Sequence, residues 1–109
     1  MMIETTELMT TAATVLDNAY DAFQREQLAR DSQALFDHAD QIFTIQMINQ
    51  ATHDYLFDEA IAKRVVTLGS RVLTEMYQRA ISAEVVKFNF TGNDIRWLLD
   101  LPRAHRRQR

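Results

Sequence analysis

The chain has 109 residues, 47% of them hydrophobic, with twelve Lys and Arg against fifteen Asp and Glu, a net charge of −3. That length suits one domain with a modest core, for which oligomerisation is an added source of buried surface. The absence of cysteine excludes disulfides and thiolate zinc sites, and two glycines with one proline supply too little turn chemistry for an all-β fold.

The charge is divided along the chain. Residues 1–69 hold eleven acids against four bases, and residues 70–109 hold four acids against eight bases. An acidic body with a basic end is unsuited to coating nucleic acid all over, and restricts phosphate contact to the C-terminal part. With no run of 18 apolar residues and no signal-peptide pattern, the expectation is a soluble cytoplasmic protein without membrane contact.

In chain order, a first helix is expected from about Glu4 to Leu28, with Leu8, Ala12, Val15, Leu16, Ala19, Tyr20 and Phe23 on one face. Glu4 and Glu7 sit in its first turn, where they suit the helix dipole. A second helix starts near Asp31 and Ser32, with a stripe of Leu35, Ala39, Ile42, Phe43 and Met47 widened by Phe36, Ile45 and Ile48, apolar enough to be buried on more than one side. Thr52 to Asp54 then offers a cap for a third helix bearing Phe57, Ile61, Val65 and Leu68, closed by Gly69 in the left-handed conformation. A fourth runs from about Ser70 to Ser82 with Val72, Leu73, Met76, Tyr77, Ala80 and Ile81 on one stripe.

From Glu84 to Leu101 the pattern changes. Val86, Phe88 and Phe90 alternate with Lys87 and Asn89 at the two-residue period of a short strand. Thr91 and Gly92 break it, and Thr91-x-x-Asp94 has the spacing of a helix N-cap ahead of Ile95, Leu98 and Leu99. Leu101 and Pro102 end that helix, and Arg103, His105, Arg106, Arg107 and Arg109 follow as a cationic tail. The expected fold is all-α: a helical body over residues 1–82, then a strand-like segment near 84–90, a short helix and the tail, in one domain.

Little points to catalysis. Asp54 and Asp58 are four residues apart, but the matching step from His53 reaches Phe57, and His38 with Asp37 and Asp40 has the wrong spacing for a shared face, so no metal or cofactor is expected. No strained nucleophile turn, phosphate-binding loop or glycine-rich dinucleotide turn is present, so no enzyme is expected. Trp97 falls outside the Ile95, Leu98, Leu99 stripe, where it either meets a partner or sits half exposed. Arginines in the tail have the charge and planar N–H forks that contact phosphate, while the plain alternative for a terminal run is a solvated end.

From Met47 to Leu99 the order of features resembles the FlhD family, the helical subunit of the FlhD–FlhC flagellar master transcriptional activator. The matching pieces are Met47-Ile48-x-Gln50, Leu56-Phe57 with Ile61, Leu73-x-x-Met76 with Ala80, and Val85-Val86-Lys87-Phe88-Asn89-Phe90 followed by Ile95 and Leu98. About half the chain is covered, and the F-x-F segment is its distinctive part. Val86 stands where the family has a cysteine, so a covalent dimer is not available. The forty residues before Phe43 exceed the family's usual N-terminus, which favours a divergent member such as the FlhD-like activators of conjugative elements.

The resemblance implies a homodimer that joins an FlhC-like partner, binds promoter DNA with it and recruits RNA polymerase, the partner carrying the zinc site and much of the DNA contact. Dimer or partner contacts are expected at Leu73, Met76, Tyr77, Val85, Val86, Phe88, Phe90 and Trp97. DNA or partner contacts are expected at Arg96, Arg103, Arg106, Arg107 and Arg109. The rival reading is an acidic helical adaptor or inhibitor, of phage or plasmid type, that binds a host protein through Asp17, Asp21, Asp37 and Asp40 and tolerates loss of residues 103–109.

Overall fold

The computed structural model describes residues 2–29, 33, 39–83 and 90–103, and these form an all-α fold. Helix α1 spans Met2–Leu28, α2 Ala39–Asp54, α3 Glu59–Leu68, α4 Val72–Ser82 and α5 Gly92–Leu98, with a 3₁₀ turn at Gly69–Arg71 between α3 and α4. Among the described residues there is no strand. The expected strand-like segment, including Val85, Val86 and Phe88, lies outside the described residues apart from Phe90, which is buried in irregular backbone.

α1 follows its sequence pattern. Ala12, Leu16 and Ala19 are buried, and Leu8, Val15, Tyr20 and Phe23 pack partly against the same core. α1 packs most extensively on α3, whose Ile61, Ala62 and Val65 are also buried. Ala12, Ala19 and Ala62 contribute small side chains to this core, and Leu16 and Ile61 are fully buried in it.

α2 buries a different stripe from the expected one. Ile45, Ile48 and Thr52 are its buried residues, while Phe43 and Ala39 are exposed and Ile42 and Met47 partly covered; Leu35 and Phe36 lie outside the described residues. A helix apolar around so much of its circumference offers several faces, and here packing against α4, α1 and α5 selects one.

The start of α3 also differs from expectation. Thr52 to Asp54 belong to α2, and the Thr52 hydroxyl donates to the carbonyl of its own helix at Ile48, 2.7 Å away. A hydroxyl bonded to the fourth residue back cannot cap the next helix. Asp58 is the N-cap instead, accepting from the N–H groups of Ala60 (3.0 Å) and Ile61 (3.4 Å). Phe57, placed on the buried stripe by its spacing, falls in the turn before the cap and is exposed.

Gly69 closes α3 with a positive φ of 59°, as expected, but its ψ of −132° leaves the left-handed helical region for one open essentially to glycine alone. Its N–H donates to the Val65 carbonyl, and the 3₁₀ turn passes directly into α4. α4 buries Val72, Leu73, Met76 and Ala80, leaving Tyr77 partly covered and Ile81 exposed.

α5 begins with the capping box that its sequence announces. The Asp94 N–H donates to Thr91 Oγ1 (3.2 Å), and the Thr91 N–H donates to Asp94 Oδ2 (2.9 Å). Gly92 sits close against Tyr55: a β-carbon there would lie 3.2 Å from its ring carbons, tight enough that the ring would have to shift. The helix stops at Leu98, earlier than Leu101 and Pro102 predict. The Leu101 N–H donates to the Arg96 carbonyl (2.7 Å) and the Asp100 N–H to the Trp97 carbonyl (3.0 Å), with Asp100 at φ 61°. That is a Schellman stop with aspartate in the place usually taken by glycine. Ile95, Leu98 and Leu99 are all buried.

Candidate interaction site at the C-terminal helix

The last carbonyls of a helix have no partner within it and form the negative end of its dipole. At α5 two arginines answer that need, and a third ties down the segment that follows. Arg64 of α3 donates to the Leu99 carbonyl at 2.7 Å. Arg79 of α4 donates through Nε to the Trp97 carbonyl at 3.0 Å, and its terminal nitrogen stands 3.8 Å from Asp100 Oδ1. Arg96, on α5 itself, donates to the Pro102 carbonyl at 2.9 Å.

Arg96 does more than close its own turn. Its Nε and Nη2 form a two-pronged pair with Asp58 Oδ2 and Oδ1 at 2.9 and 3.0 Å. The side chains of Arg96 and Asp58 are 15% and 21% exposed, so the pair is largely shielded from water. Asp58 simultaneously caps α3. One carboxylate therefore ties the start of α3 to the middle of α5.

Outside this joint, Trp97 is 43% exposed. The Arg79 guanidinium carbon lies 4.9 Å from the centre of its ring, a cation–π arrangement. The two side chains, with Glu75, Gln78, Ser82 and Ala83, line a surface groove of about 380 Å³ between α4 and α5. The groove is shallow, polar along α4 and aromatic at Trp97.

The expected site residues separate into three groups. Leu73, Met76 and Phe90 are buried by their own chain, at most 3% exposed, so they are core residues rather than contacts for a second chain. The face of α4 that reads as an interface is occupied within the monomer. Tyr77 is partly covered and Trp97 exposed, and these two remain accessible. Arg96, expected to reach DNA or a partner, has its donors engaged by Asp58 and Pro102 and is a structural residue. Arg103 is exposed beyond Pro102, while Arg106, Arg107 and Arg109, like Val85, Val86 and Phe88, lie outside the described residues.

Arg64, Arg79, Asp58 and Asp100 were not among the expected site residues. Asp58 had a readable signal, an acid directly before Glu59 and the apolar run from Ala60. The bond from Arg64 to Leu99 joins residues 35 apart and leaves no local trace. His53 likewise finds its partner off its own helix, at Asp17 of α1, 3.2 Å away. Among the described residues no group of three or more His, Asp or Glu is placed to hold a metal ion, and no helix is long and apolar enough to cross a membrane.

No protein-family model matches the chain, and neither curated proteins nor solved structures provide a match.

Proposed function

We propose that the chain is a non-enzymatic, FlhD-like subunit of a hetero-oligomeric transcriptional activator, working in the cytoplasm with an FlhC-like partner on promoter DNA. The observation that carries this reading is the anchoring of α5. Arg64, Arg79 and Arg96 fix its C-terminal end, so the basic tail leaves from a held position with Arg103 already exposed. A tail launched from a fixed base presents its charge to phosphate with less ordering entropy to lose than one hung from a frayed helix.

In this reading Arg103, Arg106, Arg107 and Arg109 touch the DNA backbone, and Arg96 positions the unit that carries them. Contacts with a second copy or the partner fall to Tyr77, Ile81 and Trp97, since Leu73, Met76 and Phe90 are committed to the core. The test is promoter binding by the chain co-purified with an FlhC-like protein, each component alone serving as control, over a series of salt concentrations. Replacing the four tail arginines with glutamine should weaken binding and flatten its dependence on salt, by a slope of about one for each phosphate no longer neutralised. Equal binding by the variant at every salt concentration would remove the tail from the mechanism.

A further inference from the structure

The second half of α1 extends beyond the densest part of the core. After Ala19 its apolar residues are only partly covered, and Leu28 is 80% exposed. Tyr20 and Phe23 stack on one another with ring centres 6.3 Å apart. With Gln27, Leu28 and Ile42 of α2 they line a groove of about 360 Å³ whose walls are mainly aromatic and aliphatic.

Two further features of this groove indicate what it accepts. Gln27 is 6% exposed, yet its Oε1 has no hydrogen-bond partner. Buried amide oxygens are almost always paired, so this wall of the groove lacks a donor. The surrounding charge is also one-sided. Residues 17–28 and 39–43 contain Asp17, Asp21, Glu26 and Asp40 against Arg25 alone, an excess of three negative charges once Arg25, which also lines the groove, is set against Asp21. An anionic lipid surface or a nucleic acid would be repelled there. A symmetric contact with a second copy would bring the same acidic rim against itself.

We propose that this groove docks a basic amphipathic helix of a partner protein. Apolar side chains at i, i+3 and i+4 enter between Tyr20, Phe23, Leu28 and Ile42, and flanking Lys or Arg side chains meet the acidic rim. On docking, the Gln27 amide turns outward so that its Oε1, closed off in the free chain, accepts an N–H of the incoming segment. The site is on α1 and α2 and shares no residue with those assigned to DNA, so it stands or falls independently of DNA binding.

The test uses the full-length chain and two fluorescein-labelled synthetic helices of about 18 residues, long enough to be helical when bound, one of leucine and lysine and one of leucine and glutamate. Fluorescence anisotropy should show binding of the lysine helix only, weakened when salt is raised from roughly 50 to 300 mM. Leu28→Ser and Asp21→Lys should each reduce affinity about tenfold, with unchanged circular dichroism and melting temperature. Phe57→Ser, exposed in the turn before α3 and outside every proposed contact, should leave binding as it was. Equal binding of both helices would overturn the proposal, as would full affinity in the Leu28→Ser and Asp21→Lys chains. Self-association that competes with the probe and is abolished by Leu28→Ser would overturn it too, assigning the groove to a second copy.

Discussion

Helix α5 has seven residues and α1 has twenty-seven, and different forces hold them in place. α5 is too short to be stable alone. It is bounded by a capping box and a Schellman turn, buries Ile95, Leu98 and Leu99, and receives side-chain hydrogen bonds from α3 and α4. α1 relies instead on a stripe of small and aliphatic residues against α3, and where that stripe ends at Ala19 its cover thins. Polar bonds fix orientation and apolar burial supplies adhesion, so the short helix is aimed and the long one is glued.

The largest effect expected from breaking this contrast is at Leu16, fully buried at the centre of the α1 stripe. Leu16→Ala should cost about 3 kcal/mol in urea unfolding through the forfeited transfer energy and the cavity left behind. A change under about 1 kcal/mol would mean that α1 does not rest on this stripe.

Next is Asp58→Ala, which removes the α3 cap and strands the Arg96 guanidinium. The expected destabilisation is about 2 kcal/mol, below that of a fully buried pair because both side chains keep some exposure to water. Hydrogen exchange should quicken in α5 as well as α3, and Asp58→Ala combined with Arg96→Met should recover part of the stability. Faster exchange confined to α3 would show that the joint does not transmit.

Asp100→Gly sharpens the comparison with the opposite sign. A residue bearing a β-carbon at φ 61° is strained, and glycine should raise stability by about 1 kcal/mol, read as a higher Tm. The 3.8 Å approach of Arg79 to Asp100 is too long and exposed to offset that gain. An unchanged or lower Tm would show the Arg79 pairing to be worth more.

The smallest effect is at Glu59. The Lys63 ammonium, 2.9 Å away, holds its carboxyl below the ordinary value by hydrogen bonding and by charge. Because the folded-state value is lowered, the pair stabilises above the carboxyl's unfolded pKa, and that contribution fades as pH falls through the folded value. Glu59→Gln should therefore be slightly less stable at neutral pH and match the parent in acid, as pH-dependent melting curves would show. The same deficit at both pH values would point to packing instead of charge.

Apolar periodicity was enough to read the helical class, the α1 stripe and the Val72, Leu73, Met76, Ala80 face of α4. The Thr91-x-x-Asp94 cap was legible too, because both partners lie within four residues. What escaped was whatever depends on distant neighbours. Nothing within α2 distinguishes Ile45 and Ile48 from Phe43 and Met47 as inward residues. The arginine joint brings residue 96 to residue 58 and residue 64 to residue 99, so Arg96 looked like a free cation in a basic segment. An amphipathic face also reads the same whether it meets its own core or another chain, which is why Leu73 and Met76 were expected at an interface.

Gly69 has a consequence for what changes this chain tolerates. Because α3 passes into α4 through one glycine and a single 3₁₀ turn, there is no slack between them to absorb an extra residue. One insertion there would rotate α4 by about 100° about its axis, carrying Leu73 and Met76 off the core and turning Arg79 away from α5. A length change at this elbow therefore strikes the packing and the anchoring of the C-terminal unit together, and lineages of this sequence should keep its spacing fixed even where the residues on either side drift.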